Sequence, residues 1–137
     1  MPLVQISLRE GKPAQYRRAL GDSIHRALVE VLAVPADDHF QLITEHKTEN
    51  VVHDSHYLGI ERTDDVVFVR ITLGLGRTLA QKRALYARIA ALLAESPGLR
   101  PQDVFIVLVE IQLENWSFGN GVAQYADTPP TWINRQA

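Results

Sequence analysis

The sequence predicts an α+β fold in which two tandem β-α-β units form a four-stranded mixed sheet with two helices on one face. Three observations carry that expectation. The segment LVQISLREGK, Leu3 to Lys12, reappears without a gap as FVRITLGLGR, Phe68 to Arg77, at an offset of 68 − 3 = 65 residues. Each copy runs into a stretch of helical periodicity. Each helix is followed by a proline-led turn, Pro35-Ala36-Asp37 or Pro101-Gln102-Asp103, that opens another strand pattern. A β-α-β unit sets its two strands parallel through a right-handed crossover, so two such units make one mixed sheet with both helices on the same side.

In chain order, Val4, Ile6 and Leu8 alternate with Leu3, Gln5 and Ser7, the period of a half-buried strand. Arg9-Glu10-Gly11-Lys12-Pro13 turns the chain, and Pro13 suits a first helical turn, where a missing N–H costs nothing. Leu20, Ile24, Ala27, Leu28, Val31 and Leu32 then recur at three- and four-residue steps, with Arg17, Arg18, Asp22, Arg26 and Glu30 on the other side. Pro35 ends that helix, and His39 to His46 reads as the second strand. Residues 47–63 form a polar connector with room for one small hairpin. Val66 to Leu73 is the strongest strand signal, dense in β-branched residues, and stops at Gly74-Leu75-Gly76. Thr78-Leu79-Ala80-Gln81 is a capping-box pattern that opens a helix with Leu85, Ile89, Leu92 and Leu93 on one face, closed by Ser96-Pro97-Gly98. Val104 to Val109 is apolar throughout, the pattern of a strand covered on both faces. The reading is one domain over 1–137: a first unit 2–46, the connector 47–63, a second unit 64–110 and a tail 111–137. No third helix is available to cover the far face of the sheet, so subunits are expected to associate around it, most simply as a ring.

The bulk numbers narrow the classes. A length of 137 residues can bury a core of its own, and a formal net charge of −2 supplies no basic field for nucleic acid or anionic membranes. No apolar run approaches a membrane span, and no export signal opens the chain, so a cytoplasmic protein is expected. The absence of cysteine rules out disulfides, thiolate catalysis and cysteine-ligated metals, and fits a reducing compartment.

Two residues carry the chemistry. Initiator methionines before small residues are usually removed, and here removal of Met1 leaves Pro2 as a secondary amine pinned to a strand. Such a nitrogen can serve as general base, general acid or nucleophile, and burial or nearby positive charge lowers its pKa. Arg77 stands just past a strand end and beside a helix N-terminus, where a guanidinium and free backbone N–H groups suit a carboxylate. In the repeat, Arg77 corresponds to Lys12 and Val67 to Pro2, so only the first half carries the amine.

An N-terminal proline on a strand, a doubled β-α-β unit and an arginine in the turn after the third strand resemble the tautomerase superfamily. More narrowly, VPADDHFQ (Val34 to Gln41) and NWSFGNG (Asn115 to Gly121) are similar to the malonate semialdehyde decarboxylase branch and its uncharacterised tautomerase-like relatives. The likeness spans Pro2 to about Tyr125. It implies a cofactor-independent homotrimer acting on a small carboxylate substrate, with the Pro2 amine doing the proton chemistry and Arg77 holding the carboxylate. Asp38 matches an aspartate near the proline, and Trp116 and Phe118 match aromatic pocket walls. One feature departs from the branch: the decarboxylase has two arginines flanking a proline in the turn after the third strand, whereas Gly74-Leu75-Gly76-Arg77 has one. Keto–enol tautomerisation tolerates that loss better than decarboxylation of a 3-oxo acid does. The resemblance therefore implies a tautomerase of 2-keto or enol acids, with a decarboxylase or hydratase as the alternative. A non-catalytic binding module is the reading if Met1 stays in place.

The plainer readings stay open beside these. Asp37 and Asp38 are ordinary turn residues, Trp116 and Phe118 can fill core, and Arg77 can be solvated. Gly74-Leu75-Gly76 lacks the lysine and hydroxyl of a phosphate-cradling loop. His53-Asp54-Ser55-His56 has no third or fourth metal ligand nearby, so no metal is expected. Arg70 can face solvent, a subunit contact or the site, and His46 can line the pocket. Thr128-Pro129-Pro130-Thr131-Trp132-Ile133 can dock as an arm on a neighbour or be disordered.

Overall fold

A computed structural model of the chain describes residues 1–130. Its elements are β1 Leu3–Arg9, α1 Ala14–Leu32, β2 Phe40–His46, β3 Val67–Gly74, α2 Leu79–Glu95, β4 Val104–Ile111 and a short helix α3, Gln124–Asp127. The sheet order is β2-β1-β3-β4, with β1 parallel to β2, β3 parallel to β4 and β1 antiparallel to β3. The repeat is written into the central pairing. Leu3 lies opposite Thr72 and Ser7 opposite Phe68, while Gln5 meets Arg70, its own counterpart at the 65-residue offset. A local two-fold thus passes through the Gln5–Arg70 pair and relates the two β-α-β units.

Alternation along the strands places the core. Val4, Ile6 and Leu8 of β1 and Val67, Val69, Ile71 and Leu73 of β3 point to the helices and are buried, against Leu20, Ile24 and Leu28 of α1 and Leu85, Ile89 and Leu93 of α2. Both halves of the α2 capping box are present, Thr78 Oγ1 accepting from Gln81 N–H and the Gln81 side chain accepting from Thr78 N–H. Pro13 stands one residue before the first helical residue of α1, its φ of −69° already suited to the entry. That helix ends at Ala33 in the left-handed region, φ 55°, ahead of Pro35. Gly21 lets α1 approach β2: a Cβ there would lie 2.3 Å from Gln41 Oε1, and Gln41 Nε2 donates to the Gly21 carbonyl at 2.8 Å.

One expectation is revised. The connector contains 3-10 turns at Thr48–Asn50 and Tyr57–Gly59 rather than a hairpin. Side chains anchor it in place of strand pairing: Arg9 donates to the Val51 carbonyl at 3.2 Å and pairs with Asp64. Within the described chain β4 is covered on one face only. Val104, Ile106 and Leu108 pack on the core, whereas Phe105 and Val107 on the other face are each 44% exposed. Phe40 and Leu42 of β2 and Phe68 of β3 share that face, which the described residues leave open. Trp132 and Ile133 of the expected arm lie outside the described residues.

Candidate active site

The topology brings four chain segments to one end of the sheet. β1 begins in the middle of the sheet, with Leu3 opposite Phe40 at the start of β2 and opposite Thr72 near the end of β3. The turn before β2 delivers Asp38, the turn after β3 delivers Arg77, and the chain leaving β4 returns across the opening with Trp116 and Phe118. Together they frame a cleft of about 220 Å³ lined by Met1, Pro2, Leu3, Phe40, Trp116, Ser117 and Phe118. Trp116 and Phe118 are stacked, centroids 5.2 Å apart and planes 22° from parallel, which makes a flat apolar wall.

The charged groups sit behind that wall. Asp38 is 7% exposed, and its Oδ2 lies 3.6 Å from the α-amine of Met1, the terminus of the chain as described. Its Oδ1 is buried and accepts no hydrogen bond among the described residues. Burial pushes the Asp38 carboxyl above the ordinary carboxylate range, more than the amine and His25 pull it down. Burial lowers the amine pKa, Asp38 opposes that shift and Arg77 reinforces it. Arg77 is 8% exposed and donates from Nη1 to the Gly74 carbonyl at 3.0 Å. Burial lowers its pKa, and Glu110, Tyr125 and Asp38 favour its cation. Glu110 is also the partner of Lys82.

Pro2, Trp116 and Phe118 are thus brought together in the cleft, and Asp38 joins them through the terminal amine. Arg77 is not among the residues lining the cleft, though its charge bears on the Met1 amine. Two further residues belong to the site. Phe40 lines it and is placed by register, as the first residue of β2 opposite Leu3. Tyr125 on α3 meets Phe118 edge-on, centroids 4.7 Å apart. Burial and Asp38 raise its hydroxyl pKa, while Arg77 lowers it. The loop carrying it is pinned by Gln124, which accepts from Phe118 N–H at 3.0 Å and donates to the Gly119 carbonyl at 2.8 Å. No periodic pattern ties Tyr125 to Asp38, 125 − 38 = 87 positions earlier; the one usable signal was its place just after the NWSFGNG segment.

The second unit has the same framework with the opening filled. Strand register, with Phe40 and Phe105 at equivalent places, makes Asp103 the counterpart of Asp38 (103 − 38 = 65) rather than of Asp37 as the proline-led turns suggested; it is 1% exposed and accepts from both Thr63 N–H and Thr63 Oγ1 at 2.7 Å. Lys12, the counterpart of Arg77, pairs with Asp65 at 3.0 Å. The connector enters β3 through Thr63 to Asp65, which hydrogen-bond Asp103 and pair with Lys12, and Arg100 adds a cation 3.7 Å from Asp103. Arg70 lies on the open sheet face, beside Gln5 and Val107. His46 Nε2 contacts Thr44 Oγ1 at 3.1 Å, away from the cleft. His53 Nε2 is 3.9 Å from Asp64, and His56 Nδ1 meets Ser55 Oγ at 2.9 Å, so the two histidines have separate partners. Among the described residues no helix is long and apolar enough to cross a membrane.

Comparison with known proteins agrees with this framework. Two family models, each described as a tautomerase enzyme, match residues 38–119 and 2–60. Probable tautomerase YusQ of Bacillus subtilis (strain 168) is 44% identical over 124 residues, 90% of this chain and 98% of its own length. Probable tautomerase YrdN of the same organism is 31% identical over 125 residues, 91% of this chain and 96% of its own. Among solved structures, FG41 malonate semialdehyde decarboxylase inhibited by 3-bromopropiolate is 38% identical with a TM-score of 0.88, over 94% of this chain and 98% of that one. A second malonate semialdehyde decarboxylase, described with decarboxylase and hydratase activities, is 30% identical with a TM-score of 0.85, over 91% and 96%. A fused 4-OT, a symmetric trimer, shares the fold at 21% identity and a TM-score of 0.76, over 92% and 98%. With a family match over more than half of its length and relatives above 30% identity along nearly all of it, this chain belongs to the tautomerase superfamily and is an enzyme of that family.

Proposed function

We propose that the protein is a cofactor-independent tautomerase of small 2-keto or enol carboxylic acids, and that the secondary amine of Pro2, freed by removal of Met1, is its general base. The observation that supports this most is the buried start of β1, where desolvation and the charge of Arg77 both disfavour protonation of the Met1 amine, one residue from the Pro2 nitrogen. The neutral nitrogen takes a proton from the carbon next to the carbonyl, the C–H electron pair forms the enolate, and the prolinium returns the proton at the other end of the enolate system. Arg77 supplies fixed positive potential for the substrate carboxylate and the enolate oxygen. The stacked faces of Trp116 and Phe118 hold the flat conjugated acid and keep water from the base. Three copies cover one another's open sheet faces, burying Phe105, Val107 and Leu42 in a homotrimer. The cysteine-free sequence fits a cytoplasmic setting.

One observation favours a second reading. Asp38 lies 3.6 Å from the terminal amine and favours its cation. A protonated Pro2 would act as an acid, polarising the carbonyl of a 3-oxo acid of the malonate semialdehyde type while the carbon–carbon bond to its carboxylate breaks, or assisting hydration. The test is the pH dependence of kcat/KM for mature enzyme on enolised phenylpyruvate and on malonate semialdehyde. Tautomerase activity that rises with pH through the amine titration supports the base. Turnover of malonate semialdehyde alone, falling through the same titration, overturns it in favour of the acid.

A further inference from the structure

The turn that carries Asp38 is clamped from α1 by a pair of stacked imidazoles. His25 lies on α1 and His39 directly follows Asp38; their rings are 3.9 Å apart between centroids and 6° from parallel. His25 Nε2 is 3.0 Å from the carbonyl oxygen of Ala36, an acceptor, so that nitrogen carries the proton. Asp38 N–H closes the same turn by donating to the Pro35 carbonyl at 3.0 Å. Residues 36 and 39 are therefore both tied to a single side chain of the helix, and Asp38 is the residue held between them.

We infer that His25 is a positioning residue for the reaction: through its hydrogen bond to Ala36 and its stack on His39, it holds the turn 35–39 in the arrangement that aims Asp38 at the head of β1, where its Oδ2 lies 3.6 Å from the Met1 nitrogen. Neither imidazole lines the cleft, and the role is exerted through Asp38. The geometry makes the role necessary. The link from α1 to β2 leaves the helix through a left-handed Ala33 and re-enters regular structure only at Phe40. A reacting group misplaced by about an ångström costs up to about a hundredfold in rate, so what fixes this span bears on the reaction. Besides the amine, the groups whose charge bears on Asp38 are Asp37 on its own turn, His25 on α1, Arg77 after β3 and Tyr125 on α3. Of these, His25 also holds the backbone of the turn.

This role deepens the amine mechanism proposed above and rests on it, so its test includes a readout that needs no turnover. In mature protein, the pH dependence of N-terminal acylation by acetic anhydride, followed by intact mass, reports the amine titration. The kcat/KM on enolised phenylpyruvate reports the reaction. His25→Phe keeps a ring against His39 but removes the donor to Ala36; His25→Gln keeps a donor of similar reach without the ring. His25→Phe is expected to lose about tenfold in kcat/KM, mainly in kcat, with the amine titrating at lower pH because Asp38 is no longer held against it. His25→Gln is expected to restore most of the rate and the original amine titration. Should His25→Phe fail to fold, His25→Asn, too short to reach Ala36, must show the same two changes. Wild-type rate and amine titration in the donor-less variant overturn the inference, as does His25→Gln behaving no better than it. If the wild-type enzyme has no turnover at all, the functional reading fails while the amine titration of the variants still decides the role of His25.

Discussion

Replacing Asp38 with asparagine separates what the site costs the fold from what it contributes to the reaction. At 3.6 Å from the terminal amine, a pair of unit charges attracts by about 1 kcal/mol in bulk water and about 5 kcal/mol at an effective dielectric of 20. Burial outweighs that attraction, because the Asp38 carboxyl stands above its ordinary value of 3.8 despite the amine and His25. The sign follows from linkage. An acid whose folded pKa is raised binds its proton more tightly in the native state, so stability falls as pH rises from the unfolded value through the folded one, and the full cost is present above both. Asparagine keeps the shape and removes the charge. At pH 7, Asp38→Asn is therefore expected to be more stable than wild type, with a higher Tm, and the gain should vanish below about pH 3.8, where the wild-type carboxyl is protonated. The reaction should suffer in the same variant, with kcat/KM down by about a hundredfold. Its amine titration should move to lower pH, since Asp38 is the group that favours the cation. Calorimetric unfolding at pH 7 and pH 3.5, with steady-state kinetics on the same protein, reads all of these. A variant less stable than wild type at pH 7, or an amine limb moved to higher pH, would refute the reasoning.

Other substitutions probe the remaining parts. Arg77→Met should lower kcat/KM by roughly 10²–10³-fold and shift the amine limb to higher pH, opposite in sign to Asp38→Asn, because Arg77 disfavours the protonated amine; a pH–rate profile checks both. Thr63→Val removes one of the two hydrogen bonds to the buried Asp103 and should cost about 1–3 kcal/mol in urea unfolding at pH 7, whereas a change under about 0.5 kcal/mol would mean that the Thr63 N–H and Arg100, 3.7 Å away, hold the acid without the hydroxyl. Leu42→Asp on the open sheet face should dissociate the proposed homotrimer in sedimentation velocity, and an unchanged sedimentation coefficient would argue against a subunit contact there.

The framework was legible because the chain writes it twice. The 65-residue offset, the capping box at Thr78 and the alternation of Val4, Ile6 and Leu8 are local signals, and each strand found this way lies within two residues of its observed start. Legibility fell where structure depends on partners far away in the chain. The connector holds its path through Arg9, Asp64 and Asp103, side chains that no periodicity links. The apolar run of β4 was readable as doubly covered, with the second cover expected from other subunits because no third helix was available, and the exposure of Phe105 and Val107 leaves that face open among the described residues. The site divides in the same way. Pro2, Asp38, Trp116 and Phe118 stood in recognisable segments, while the burial of Arg77 behind the cleft wall and the arrival of Tyr125 depend on how the chain after β4 folds back.

The account stands on a free secondary amine at the head of β1. Its most direct test is the turnover of enolised phenylpyruvate by Pro2→Ala, with intact mass showing that both the variant and the wild-type enzyme have lost Met1. The expected result is a loss of about 10²–10⁴-fold in kcat/KM for the variant, the contribution of a positioned general base. Equal turnover by the two proteins, or full activity in a wild-type chain that still carries Met1, would contradict it.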